Sequence, residues 1–139
     1  MTNLLDEMIK KAKEVQQNFY APYSNYHVGC CLRSEHDYLF AGCNVENASY
    51  SLTLCAEASA LGALISAGEK HIKEMVIIGS GKELCVPCGA CRQRLLEFAI
   101  APNIPIHLCN GEKICETVTL DKLLPKTFNT KHLEQNHDH

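Results

Sequence analysis

The 139-residue sequence has no run of more than two basic residues, and its formal net charge is -3. That excludes the footprint expected for a nucleic-acid backbone or an anionic membrane surface, and it suits a small uncharged ligand. No apolar run approaches bilayer-spanning length. Met1 is followed by Thr2-Asn3-Leu4-Leu5-Asp6-Glu7, which lacks the basic start and apolar centre of a secretory signal. Also missing are a Gly-x-Ser-x-Gly elbow, a phosphate-binding loop and a dinucleotide fingerprint. The seven histidines show no metal-ligand spacing, and His137 and His139 are tail residues. There is no internal repeat and no interior linker.

Cysteine, by contrast, is plentiful: nine residues, an odd number. Without a signal segment, thiols at this density are expected free, in a reducing cytoplasm. Apolar residues make up 46% and charged residues 21%, an ordinary globular balance. A chain of this length forms one domain burying roughly two-thirds of its unfolded surface. We expect that domain over residues 1–128, with a polar, frayed tail over 129–139.

Periodicity supplies the elements. Leu4, Leu5, Met8, Ile9, Ala12, Val15 and Phe19 recur every three or four residues, predicting an amphipathic helix that stops near Pro22. Tyr26 to Arg33 alternates and Tyr38 to Cys43 is a second extended run, so the polar stretch between them makes a hairpin, though without a glycine. Cys55 to Ala67 is apolar nearly all round, the mark of a buried helix, with Gly68 as its stop. Met75 to Gly79 suits a central strand covered on both faces. A further helix opens at or just after Pro87, and Asn110-Gly111 joins two last strands, Ile104 to Cys109 and Ile114 to Leu120. Leu120 to Leu124 is a closing helical turn. The expected architecture is α/β: a three-layer α/β/α arrangement around a five-stranded mixed sheet.

Two stretches carry the chemistry, Thr53-Leu54-Cys55-Ala56-Glu57 and Pro87-Cys88-Gly89-Ala90-Cys91-Arg92-Gln93. Zinc favours thiolate ligands in a tetrahedron, and a catalytic zinc keeps one position open. Cys88 and Cys91 are three apart at a helix start, where the dipole and unpaired N–H groups favour thiolates. Cys55 completes a three-sulfur set, and Glu57 is near enough to act without being a ligand. Cys85, which precedes Pro87 and so falls outside the helix, leaves a second possibility: a closed structural site of Cys55, Cys85, Cys88 and Cys91. Cys30, Cys31, Cys43, Cys109 and Cys115 read as small hydrophobes. Gly42-Cys43-Asn44-Val45-Glu46-Asn47 reads as an ordinary polar turn.

The sequence resembles the small, homotetrameric, zinc-dependent cytidine deaminases, in a co-linear match from about Ala21 to Phe128. Besides both stretches above, it includes Ala21-Pro22-Tyr23-Ser24-Asn25-Tyr26-His27-Val28-Gly29, Gly42-Cys43-Asn44-Val45-Glu46-Asn47-Ala48-Ser49-Tyr50 and Leu123-Leu124-Pro125. The resemblance implies an open site, with Cys55, Cys88 and Cys91 as ligands of one zinc per subunit and Glu57 as the proton shuttle. It implies that Asn44 and Glu46 hold ribose hydroxyls, that Tyr26 stands against the base, and that Ala56 and Cys88 read the pyrimidine edge through their backbone. Phe128 would reach a neighbouring subunit's site, and Tyr50 would lie near subunit contacts, in a homotetramer. The implied reaction is hydrolytic deamination of cytidine and deoxycytidine to uridine and deoxyuridine plus ammonia, in pyrimidine salvage. A zinc-bound hydroxide would attack while Glu57 moves the protons. A modified cytosine nucleoside such as blasticidin S is the alternative substrate, and a non-catalytic zinc-stabilised binding module the alternative class.

Three thiolates on a dication leave one net negative charge. Many relatives offset it with an arginine directly after the glutamate, where this chain has Ala58. We expect Arg92 to compensate by hydrogen-bonding a ligand thiolate.

Overall fold

A computed structural model describes residues 3–81, 84–111 and 113–134. Helix α1 (Leu4–Gln16) is capped by Asn3, whose Oδ1 accepts the Asp6 N–H at 2.8 Å, and it buries Met8, Ile9, Ala12 and Gln16. Apolar spacing alone would carry this helix to Phe19. It ends at Gln16 because Phe19 stacks on His27, 3.5 Å between ring centroids, and Tyr20 leaves as a bridge to Val45.

Strands β1 (Val28–Ser34) and β2 (Leu39–Cys43) form the expected hairpin. In the absence of glycine, Asp37 takes the left-handed conformation at φ 68°, which a short polar side chain tolerates, and Ser34 Oγ accepts the Tyr38 N–H at 3.2 Å. Pairing begins at Val28 rather than Tyr26, since the Asn44 side chain takes the Tyr26 carbonyl and the Val28 N–H. There follow α2 (Ala56–Ser66), β3 (Ile72–Gly79), α3 (Gly89–Phe98), β4 (Pro105–Asn110), β5 (Lys113–Thr119), α4 (Leu120–Leu123) and α5 (Thr130–Glu134). Asn110 stays in β4, paired with Lys113, so of the Asn-Gly pair Gly111 carries the positive φ, 64°. Within the tail expected from residue 129, Thr130–Glu134 form the short helix α5, while residues 135–139, His137 and His139 among them, lie outside the described residues.

The sheet order is β2-β1-β3-β4-β5, with β3 and β4 parallel and the other neighbours antiparallel. Its faces carry separate cores. Cys30, Leu32, Met75 and Ile77 pack with Ala60, Leu64 and Leu95 on the α2 and α3 side. Cys31, Val76, Ile78 and Cys109 pack with Met8, Ile9 and Ala12 of α1. The side chain of Cys115 lies outside those described. Near the start of β3, on the α1 face, the Glu74 carboxylate takes Arg33 Nη2 at 2.8 Å and His107 Nε2 at 2.6 Å, while His107 Nδ1 meets Thr117 Oγ1 at 2.8 Å. These contacts link β1, β3, β4 and β5 in one polar ladder.

Topology places the site. Both β2 and β3 run antiparallel to β1, so they point the same way and end at the same edge of the sheet. Because α2 follows β2 and α3 follows β3, both helices begin at that edge. Helix α2 lies so close to β2 that a Cβ on Gly42 would fall 2.3 Å from the Ala60 nitrogen and 2.8 Å from the Ala56 carbonyl oxygen. Only one face of α2 meets the sheet. Composition implies burial all round, yet Gly62, Ala63 and Ile65 are exposed on the single chain.

Gly42→Ala must therefore push α2 off the sheet. We expect urea denaturation to show a loss of about 1–3 kcal/mol, the usual range for overpacking. A variant as stable as the parent would rule out this close packing.

Candidate active site

Cys55 and Cys88 are the N-cap residues of α2 and α3, both with extended backbone, and neither side chain caps its helix. A serine or aspartate there would fold back onto the first N–H groups. A cysteine leaves its sulfur free to point away from the helix end. Cys91 is the third residue of α3 and is fully buried.

The three Sγ atoms lie within 4.8 Å of one another, with Cys55 and Cys88 3.8 Å apart. Zn–S bonds of about 2.3 Å give a tetrahedron with edges of about 3.8 Å. The donor set thus fits one zinc ion in both chemistry and spacing. Cys85 is not part of this cluster. It hydrogen-bonds the Tyr26 phenol, so the closed four-cysteine arrangement is not the one formed.

The electrostatics of the metal-free thiols follow from their contacts. Cys55 is pulled down to about 6, first because the Cys91 thiol donates to it, with further help from Cys88 and the charge of Arg94. Cys91 is correspondingly pushed up, by giving that hydrogen bond and by burial. Between Cys55 and Cys91, the thiolate is favoured on Cys55. Glu57, in the first turn of α2, is 5% exposed, and burial raises its carboxyl above the usual range.

The other anticipated residues are placed as follows. Ala56 is buried at the first position of α2. Tyr26 is half-buried, and its phenol is pushed up to about 12, first by burial and then by the Cys85 contact. Asn44 is buried, its Oδ1 accepting the Val28 N–H at 3.0 Å and its Nδ2 donating to the Tyr26 carbonyl at 2.7 Å. Glu46 accepts the N–H groups of Tyr23 and Ser24 at 3.0 and 3.2 Å and the Ser24 hydroxyl, which holds its carboxyl below the ordinary value. The loop that reads as a plain turn thus fixes the segment bearing Tyr26. Tyr50 is exposed, edge-on to Tyr23. Phe128 is also exposed, its carbonyl accepting from Gln93 Nε2 at 2.9 Å.

One expectation fails outright. Arg92 does not reach a thiolate: its Nε donates to the Pro87 carbonyl and its Nη1 to the Leu123 carbonyl, each at 2.8 Å. Those bonds tie the loop before α3 to α4. Arg94, which sequence reasoning passed over, puts Nη1 3.7 Å from Cys91 Sγ. The overlooked signal was spacing, because Arg94 is one helical turn beyond Cys91.

Known proteins place this geometry. The family described as cytidine and deoxycytidylate deaminase zinc-binding region matches residues 2–106. The cytidine deaminase of Sporosarcina psychrophila is 35% identical over 93% of this chain and 94% of its own. This chain belongs to the cytidine deaminase family. The cytidine deaminase of Halalkalibacterium halodurans is 36% identical over 87% of this chain and 91% of its own. Among solved structures, cytidine deaminase from Burkholderia pseudomallei superposes with a TM-score of 0.82 at 37% identity, covering 92% of this chain and all of that one. The cytidine deaminase fold accounts for the sheet and its flanking helices.

Alkylation of the metal-free protein tests the shared proton. With zinc removed, Cys55 should react with iodoacetamide along a profile whose midpoint is about 6. Peptide mass mapping reads the site. Equal labelling of Cys55 and Cys91 at neutral pH would contradict the assignment.

Proposed function

We propose that this protein is a zinc-dependent hydrolase that converts cytidine and deoxycytidine to uridine and deoxyuridine, with release of ammonia. The observation that carries this reading is the three-sulfur cluster, incomplete as a tetrahedron, beside the buried carboxylate of Glu57. Bound zinc supplies Lewis-acid activation of water at neutral pH. Glu57 would take one proton of the attacking water and give it to ring nitrogen N3 as the oxygen bonds to C4, then take the second proton from that C4 hydroxyl and give it to the amino group, which leaves as ammonia. As the C4–N bond breaks, the C4 carbonyl of uridine forms. A carboxyl whose affinity for protons is raised by burial suits both directions of transfer.

Around this centre we assign Tyr26 to the base and the Ala56 and Cys88 backbone to the pyrimidine edge. Asn44 and Glu46 we assign to the ribose. The N–H groups that anchor Glu46 hold its carboxylate ready for hydroxyl donors. One catalytic domain over residues 1–128, a cytoplasmic location and a place in pyrimidine salvage complete the proposal. In support, the described cysteines are free thiols, and no helix among the described residues is long and apolar enough to cross a membrane.

Glu57→Gln should retain one zinc and the fold while ammonia release falls at least about 100-fold. Full activity in that variant would end the reading. The assay compares cytidine and deoxycytidine with blasticidin S and deoxycytidine monophosphate. Preference for blasticidin S would move the substrate assignment.

We further propose a homotetramer in which Phe128 completes a neighbour's site. In support, Tyr50, Leu52, Leu54, Ile65 and Phe128 are large apolar side chains left exposed on the single chain. Mixing Glu57→Gln subunits with Phe128→Ala subunits tests this. If Phe128 acts across the interface, mixed assemblies regain intact sites and their activity exceeds that of either parent. Strictly averaged activity, or a monomer in sedimentation, would refute it.

A further inference from the structure

We infer that Arg94 is the positioning residue that offsets the surplus negative charge of the three-thiolate centre in this chain. The inference rests on the zinc reading above and adds to it the residue that balances the site. Of the three sulfurs, Cys88 is exposed and Cys55 partly so, and water can solvate their charge. Cys91 is fully buried, and a buried thiolate needs a charged or hydrogen-bonding partner. Arg94 is that partner, its Nη1 3.7 Å from Cys91 Sγ. It approaches from an exposed position on α3, one turn beyond the sulfur, so its long stem brings a guanidinium inward without burying the whole side chain.

The alternatives on the same elements are already engaged or uncharged. Arg92 holds the Pro87 and Leu123 carbonyls. Ala58, one turn beyond Cys55 on α2, carries no charge. Residues 58 and 94 stand at the same three-residue interval from a cysteine of the cluster, on different helices. A cation moved from one interval to the other serves the same centre from a different helix.

The test begins with metal retention. At neutral pH, competition with a chromogenic chelator should show zinc binding weakened about 10- to 100-fold in Arg94→Ala, the usual cost of losing a partner of a metal ligand. Arg94→Lys should lose less. In the cobalt-substituted protein, the sulfur-to-metal charge-transfer band should shift in Arg94→Ala, which a merely structural surface residue would not cause. Adding Ala58→Arg to the Arg94→Ala chain should restore zinc retention to within a few-fold of the parent. Unchanged retention and an unchanged band in Arg94→Ala would overturn the inference, as would failure of Ala58→Arg to recover either. If the parent itself holds no zinc, or keeps it after Cys91→Ser, the zinc reading fails instead.

Discussion

Three sulfurs that must carry negative charge repel one another, and gathering them in one small volume requires fixed positive ends around them. The fold meets this by starting two helices at one edge of the sheet. Each start presents unpaired N–H groups and the positive end of a dipole to the same point. Strand direction makes the coincidence possible: β2 and β3 both oppose β1, so their following helices return from the same edge. Reversing either strand would carry one helix start to the far side and scatter the thiols.

Much of this was legible in the residues because it is local. The spacing of Cys88 and Cys91 at a proline-marked helix start needs no tertiary information, and neither does the apolar run that becomes β3. What escaped depends on distant partners. The end of α1 is decided by His27 and Val45, far along the chain. The choice between Arg92 and Arg94 turned on where the Leu123 carbonyl lies, which no local pattern encodes. The composition of α2 announces burial but cannot say whether a sheet or another molecule does the burying.

The Asn44–Glu46 loop joins local and distant effects. Its amide and carboxylate grip the backbone from Tyr23 to Val28. The same grip sets Tyr26 beside Cys85, close to the start of α3. Residues proposed for the sugar therefore also position the residue proposed for the base, so both proposed halves of the site belong to one connected structure.

The polar ladder of Arg33, Glu74, His107 and Thr117 lies at the other end of the sheet from the thiols, near the start of β3 rather than its finish. It clasps four strands through a largely buried carboxylate and imidazole. Robustness and chemistry are thereby lodged at opposite poles of one sheet. A change in the ladder therefore acts on strand pairing at the end of the sheet away from the thiols.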